Sequence, residues 1–336
     1  VYRFFVRSGE TALINRIAQS VPSVRGLGSF GDVHLGIGDD AALLRFQGRS
    51  MCAVSCDPFI ENIHFFAGAQ PAVSVGYKSL ARATSDLAAM GAAPRFFLLS
   101  LAMPGSRTGA WLNSFLRGLA RAAREFRMRL IGGDVAKSPH GIINITVFGE
   151  TAQGGAILRS GARPGNRIYV SGRLGCSQLG LELILRNLHR RNSFRNLLRP
   201  HFYPAIRIAL GSWLAANRIP SAMMDLSDGL STDLARLCAA SNVGARIELA
   251  HLPMCAVPDA LQGRGFDATA LALHGGEDYE LLFTVPARSV HKIPSAYRGV
   301  PLTCIGEILP ARNGVCVQHP DGRISKIPSQ GWDHFR

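Results

Sequence analysis

The chain runs to 336 residues with 47% hydrophobic and 18% charged content and 36 glycines, enough for two domains that each bury a core. No apolar run approaches the ~20 residues that a membrane span needs, and residues 1–8 lack the apolar centre and cleavage site of a signal peptide. A formal charge of +14 raises binding to a nucleic acid as a rival from another functional class. No homeodomain, zinc-finger or RNP pattern accompanies the charge, which by itself speaks to solubility and weak attraction for polyanions.

There are seven cysteines, at 52, 56, 176, 238, 255, 304 and 316, with no C-x-x-C pair. That pattern predicts reduced, buried thiols in a cytoplasmic protein and makes a zinc site unexpected. An initiator methionine is absent, so a start further upstream is expected.

In chain order, the spacing of Leu13, Ile14, Ile17 and Ala18 predicts a short amphipathic helix over 10–20. Gly26-Leu27-Gly28-Ser29-Phe30-Gly31 is a literal G-x-G-x-x-G, but it neither follows a strand nor opens a helix, so the dinucleotide reading fails. Gly36-Ile37-Gly38-Asp39-Asp40 then sets adjacent carboxylates on a glycine hinge. Strands are expected at 41–46 and 51–56, ahead of a loop over 58–66 with Glu61 and His64. Residues 71–90 read as a long helix opened by Pro71 and closed by Gly91. Asp86 lies in its last turns, where the macrodipole disfavours an anion, and Lys78 reads as a solvated side chain.

A strand is expected at 95–102 and a helix at 107–127, with Arg117, Arg121 and Arg124 on a solvated face. Leu130-Ile131-Gly132-Gly133-Asp134 reads as a strand ending in a glycine turn with the carboxylate at its tip. Another strand covers 142–150. The glycine-rich stretch 153–165 marks the boundary, giving domains 1–152 and 153–336. The second half reads as strand 167–170, helix 177–188, an arginine-rich connector, helix 203–216 and strand 222–225. Ser227-Asp228-Gly229 then opens a helix to about residue 240, a corner suited to phosphate and metal. Strand 245–249, two short helices within 259–273, the acid-rich turn 274–280 and strands 280–285, 302–308 and 314–318 complete a fold of class α+β.

Each aspartate alone reads better as a turn or cap residue than as a ligand. Together, the Asp39-Asp40 pair, Asp57, Asp86, Asp134, Asp225 and Asp228 read as one scattered site for hard divalent cations, such as Mg²⁺ carrying nucleotide phosphates. No P-loop, G-x-S-x-G, H-E-x-x-H or protein-kinase motif is present. An acid-rich, glycine-hinged site without a nucleophile fits phosphoryl transfer between bound partners.

The motifs just read, with Ser55-Cys56-Asp57, Ser85-Asp86-Leu87-Ala88-Ala89-Met90-Gly91, Arg159-Ser160-Gly161, Asp225-Leu226-Ser227-Asp228-Gly229-Leu230, Gly275-Gly276-Glu277-Asp278-Tyr279-Glu280 and Gly331-Trp332-Asp333-His334-Phe335, resemble thiamine-monophosphate kinases in order from about residue 10 to 335. The resemblance implies the fold shared with aminoimidazole ribonucleotide synthetase and selenophosphate synthetase, an N-terminal domain that dimerises through its sheet, and ATP-dependent phosphorylation of thiamine monophosphate. It places Asp40, Ser55, Cys56 (through its main chain), Asp57, Asp86, Asp134, Asp225 and Asp228 at Mg²⁺ positions, with Asp86 and Asp228 central to catalysis. It places Gly133, Asp134, Arg159 and Ser227 at ATP and His64, Glu277 and Trp332 at the thiamine moiety. Cys56, Ala83 and Val135 depart from the family's Thr, Asn and Thr.

Other enzymes of the same fold remain as alternatives. Selenophosphate synthetases carry a reactive cysteine in a glycine-rich N-terminal segment, and hydrogenase-maturation relatives end in one; here the first cysteine is Cys52 and the chain ends His334-Phe335-Arg336. Trp332 has two readings, an aromatic staple for the tail or a ring lying on the cationic thiazolium.

Overall fold

The computed structural model describes residues 27–30, 33–45, 50–152 and 155–335. The helix expected at 10–20 therefore lies outside the described residues. Strands β1 (Leu27–Phe30), β2 (Val33–Leu35), β3 (Ala42–Arg45) and β4 (Ser50–Ile60) form an antiparallel meander. Helix α1 (Ala72–Ala89), β5 (Ala93–Met103), α2 (Ala110–Glu125), β6 (Arg129–Lys137) and β7 (Ile142–Ala152) follow, giving the order β1-β2-β3-β4-β7-β5-β6. Leu80, Leu87, Phe97, Phe115, Ile143 and Ile145 are fully buried in one core of helices and sheet. The helices cross at Gly76 and Gly118. A Cβ at Gly76 would lie 1.9 Å from the Phe115 carbonyl oxygen, and one at Gly118 would lie 1.8 Å from that of Val73, so only glycine permits this approach.

Two expectations need correction here. Strand β4 runs on to Ile60, so Asp57 lies within it rather than at the mouth of a loop. The stretch Gly132-Gly133-Asp134 is no turn: it continues straight through β6, which pairs parallel with β5 and opposes Asp134 to Ser100. A Cβ on Gly133 would lie 1.8 Å from the Leu99 carbonyl, so this glycine serves close strand approach. Strand β6 is exposed along its whole length and carries Leu130, Ile131 and Val135, the last 70% exposed.

The second sheet is built from β8 (Arg167–Ser171), β9 (Ala222–Asp225), β10 (Val243–Glu248), β11 (Leu281–Val285), β12 (Ala296–Tyr297), β13 (Val300–Pro310), β14 (Val315–Gln318) and β15 (Ile324–Lys326). Its order is β15-β14-β10-β13-β8-β11-β9, with β12 paired to β13. Helices α3 (Cys176–Leu185), α4 (Ile208–Ala216), α5 (Leu230–Ser241) and α6 (Ala268–His274), with a single helical turn at Arg199–Phe202, accompany it. The helix expected from 203 begins only at Ile208, because Pro204 disfavours helical backbone at Tyr203, which sits at φ −138°, ψ 69°. Helix α4 reaches back to the first sheet's helix: a Cβ on Gly211 would lie 2.0 Å from the Ala88 carbonyl oxygen. The C-terminal end of α1, which carries Asp86, is thereby enclosed by both halves. No helix among the described residues is long and apolar enough to cross a membrane. All seven cysteines are free, but Cys56 is exposed and Cys176 and Cys304 are half-buried, against the expectation that all would be buried.

Candidate active site

Three of the predicted acids converge. Asp40 sits after the hinge at Gly38, Asp86 on α1 and Asp225 at the end of β9, and a carboxylate oxygen from each lies within 4.8 Å of the others. Burial, joined by neighbouring carboxylates, pushes both Asp86 and Asp225 well above the usual carboxylate range. The Asp225 Oδ2 atom is buried without a hydrogen-bond partner. Three hard oxygen donors, one of them orphaned, fit a divalent cation such as Mg²⁺.

The other predicted ligands stand around this group. Ser55 on β4 donates its hydroxyl to Asp86. Asp57, one turn of the pleat further on, pairs with Arg82 at 3.4 Å. The Cys56 side chain points to the opposite face, where Asn144 Nδ2 and Thr146 Oγ1 donate to its sulfur at 3.2 and 3.3 Å. Asp228 precedes α5 and is ion-paired with Arg236, while its backbone N–H donates to Asp233 at 3.0 Å. Asp134 and Gly133 lie exposed on β6 and do not join the group of three.

Arg159 holds the hinge from the other side. Its guanidinium forks onto Asp40 at 2.7 and 3.1 Å, and its backbone N–H donates to Asp39 at 3.0 Å. Burial opposes the Arg159 charge, but Asp40 and Asp39 more than offset it. Burial and the adjacent Asp40 push Asp39 up to about 7. Sequence reasoning set Asp39 beside Asp40 in the acidic hinge, but the family resemblance assigned it no ligand position.

The segments around Ser227 and Glu277 run side by side. Glu277 N–H donates to the Ser227 carbonyl at 2.7 Å, and Tyr279 N–H to that of Leu226 at 2.9 Å. Glu277 and Tyr279 both take left-handed backbone, at φ 65° and 51°. Such a strained turn persists only when its surroundings fix it. Here three acids are each caught by a different element. Glu277 meets Lys78 Nζ at 2.8 Å, Asp278 accepts from Gly175 and Ser177 N–H at the start of α3 at 2.6 and 3.0 Å, and Glu280 is gripped by Arg207.

Lys78 therefore corrects its expected solvated state: it is 1% exposed and makes an ion pair between the two halves. Beneath it His201 contacts Gln70 at 2.9 Å and Ser177 at 3.2 Å. Burial pushes Glu277 upward, yet Lys78 and His201 outweigh it and hold the carboxyl at about 2. Burial and the Lys78 charge hold His201 at about 3, so it is neutral at pH 7. The available signal was the helical stripe Lys78, Arg82, Asp86, which sets two cations on the face of an essential acid.

His64 Nδ1 accepts from the Ile60 N–H at 3.0 Å, which leaves Nε2 directed at His334 Nε2 at 3.4 Å. Burial, reinforced by Arg82, lowers His64 to about 3. His334 stacks edge-on against His64 and against Trp332, with centroids 4.9 and 5.5 Å apart. Trp332 itself stays 47% exposed, and its backbone N–H, donating to the Asp228 carbonyl at 3.0 Å, helps fasten the tail.

The sequence models of the AIR synthase related protein N-terminal and C-terminal domains match residues 38–151 and 163–317. Fold and site thus define the class as an AIR synthase related protein. The thiamine-monophosphate kinase of Escherichia coli (strain K12) is 40% identical over 333 residues, covering 97% of this chain and 98% of that protein. That of Bacillus subtilis (strain 168) is 33% identical over 310 residues, covering 90% and 94%. The solved structure of AaThiL complexed with AMPPCP and TMP superposes with a TM-score of 0.84 at 29% identity, covering 99% of both chains. The chain belongs to the thiamine-monophosphate kinases.

Proposed function

We propose that this chain transfers the γ-phosphoryl group of ATP directly to thiamine monophosphate, giving thiamine diphosphate and ADP. The observation that carries this reading is the convergence of Asp40, Asp86 and Asp225 from three separate segments around a buried, unpartnered carboxylate oxygen. Asp40, Asp86 and Asp225 would hold Mg²⁺, with Ser55, the Cys56 main chain, Asp57, Asp134 and Asp228 completing further cation positions. Bound there, Mg²⁺ supplies positive charge to the phosphates that the bare acids would repel.

The protein's own groups position the partners. Arg159 stays ionised and locks the Asp39-Asp40 hinge, and with Gly133, Asp134 and Ser227 it is assigned to ATP. His64, Glu277 and Trp332 are assigned to the thiamine end. The acceptor phosphate has a second pKa near ~6, so it is largely ionised at neutral pH and needs no general base. The weak basicity of His64 agrees with a contact role. Binding of AMPPCP and TMP by the AaThiL relative supports the same pair of substrates here. The test is ADP release in the presence of Mg²⁺: it should require thiamine monophosphate and disappear when thiamine or inorganic phosphate replaces it. Release that is indifferent to the acceptor would reject the reading.

We further place the domain boundary at 152/153 and infer a homodimer that pairs through β6. An exposed edge strand bearing Leu130, Ile131 and Val135 is a surface that proteins ordinarily cover. Sedimentation of the wild type should give twice 36.1 kDa, and Ile131→Asp with Val135→Asp should shift it to the monomer. A wild-type monomer at micromolar concentration would contradict the dimer.

A further inference from the structure

Cys176 and Cys255 lie far apart in the sequence and have no role in the transfer, yet the fold closes them into a pair. Leu174 N–H donates to the Pro253 carbonyl at 2.8 Å and Cys255 N–H to that of Leu174 at 2.9 Å, which bridges the two segments in parallel. Two residues beyond Leu174, Cys176 opens α3, and its S–H donates to the Cys255 sulfur. Both thiols are free and sit in one apolar cluster with Leu179, Leu183 and Leu271.

A thiol pair closes into a disulfide when its sulfurs touch, its backbone holds them there and an oxidant can reach one of them. The hydrogen bond between the side chains meets the first condition. The bridge at Leu174 meets the second, aided by Gly175 at φ 83°, where a Cβ would lie 2.7 Å from the Leu271 carbonyl carbon. The third is met from one side: Cys255 is 5% exposed, whereas Cys176 is half-buried. The Cys176 S–H also holds Cys255 below the usual thiol range, so the pair gives up a first proton readily. Moving the other proton along the same hydrogen bond places the charge on Cys176.

The start of α3 is also where the strained turn at Glu277 is fastened. Gly175 and Ser177, on either side of Cys176, donate their N–H groups to Asp278 at 2.6 and 3.0 Å, and Ser177 Oγ lies 3.2 Å from His201 Nδ1. An S–S bond is only about 2.05 Å long, so closing the pair draws Cys176 toward Cys255 and shifts the N–H groups that hold Asp278.

We propose that Cys176 and Cys255 form an oxidation site that couples the redox state of the surroundings to the thiamine end of the active site. The oxidant is a low-molecular-weight disulfide. The Cys176 thiolate attacks one of its sulfurs, breaking that S–S bond and releasing one thiolate; Cys255 then attacks the Cys176 sulfur and releases the second. The two cysteine protons pass to the released thiolates, so the protein loses two electrons and two protons and the oxidant becomes two thiols. The effect on the reaction rests on the assignment of Glu277 to thiamine made above; the bond itself does not.

The test treats the whole protein with 2-hydroxyethyl disulfide, alkylates the remaining thiols and maps the peptides by mass. The peptides bearing Cys176 and Cys255 should be joined with loss of two hydrogens, and Cys255→Ser should instead carry a mercaptoethanol adduct on Cys176. Hydrogen exchange at the Glu277 and Tyr279 amides should quicken in the oxidised protein, whatever the substrate. The KM for thiamine monophosphate should rise ~10-fold, the scale of one hydrogen bond to a charged group, while that for ATP changes little. Dithiothreitol should reverse all three changes, and Cys176→Ser, which keeps Cys56 and the other thiols, should be indifferent to the oxidant. Peptides that stay unjoined while exposed Cys56 is modified would overturn the site. A joined pair with unchanged exchange and KM, or an equal KM rise in Cys176→Ser, would overturn its link to the active centre.

Discussion

Asp86→Asn is expected to lower turnover by ~10³-fold or more, which corresponds to ~4 kcal/mol of transition-state stabilisation. The variant should nevertheless fold, and without metal it should be the more stable protein in alkali. Burial holds the Asp86 carboxyl well above its unfolded pKa. Such a group adds stability that is fully present below the unfolded pKa and is lost as pH rises through the folded one. Asp225 has the same sign, and burial also brings Asp233 and Asp278 to about 7. Metal-free wild type should therefore lose several degrees of Tm between pH 6 and pH 8. Asp86→Asn should reduce that loss, since it deletes one of the forced charges, and Mg²⁺ should raise the wild-type Tm most at pH 8. Scanning calorimetry of both proteins, with and without Mg²⁺, checks each arm. A wild-type Tm that climbs with pH in EDTA would contradict the assignment.

Lys78→Met carries the second large effect. It removes the ammonium 2.8 Å from Glu277 and leaves that carboxylate, 22% exposed, beside an apolar side chain. Breaking one partner of a buried pair costs ~3–5 kcal/mol, and the partial exposure of Glu277 favours the lower end. The strained backbone at Glu277 and Tyr279 depends on the same pair, so the turn that presents Glu277 should loosen. The KM for thiamine monophosphate should rise ~10-fold or more while that for ATP changes little. Lys78→Met with Glu277→Gln should recover much of the stability, because no charge is then left unpaired, but not the substrate affinity. Urea denaturation and the two KM values separate these outcomes; full stability in the single variant would remove the pair from the fold's support.

The parts of the site legible in the sequence were those that broke a local rule. Asp86 stands where a helix terminus disfavours an anion, and Asp40 shares a glycine hinge with a second acid. Both lie in the group of three, with Asp225 from the strand-to-helix junction. What sequence alone could not supply was the partner from across the chain. Lys78 reads as an ordinary helix lysine until Glu277, 199 positions away, folds over it. Asp134 was misplaced for a different reason. Paired glycines usually announce a turn, but Gly133 is needed because the Leu99 carbonyl lies against it within a parallel pair. The late start of α4 at Ile208 was written in Pro204, which outweighed the apolar periodicity around it.

The account's central claim is direct transfer between two substrates held at the Asp40, Asp86 and Asp225 centre. It is tested most directly by a single turnover with γ-³²P-labelled ATP, thiamine monophosphate and Mg²⁺, quenched in acid and resolved into nucleotide, thiamine and protein fractions. The label should pass into thiamine diphosphate in equal amount to ADP, with none on the protein at any time, and Asp86→Asn should transfer it ~10³-fold or more slowly. Label that accumulates on the protein first, or is released as phosphate while thiamine monophosphate stays unchanged, would contradict it.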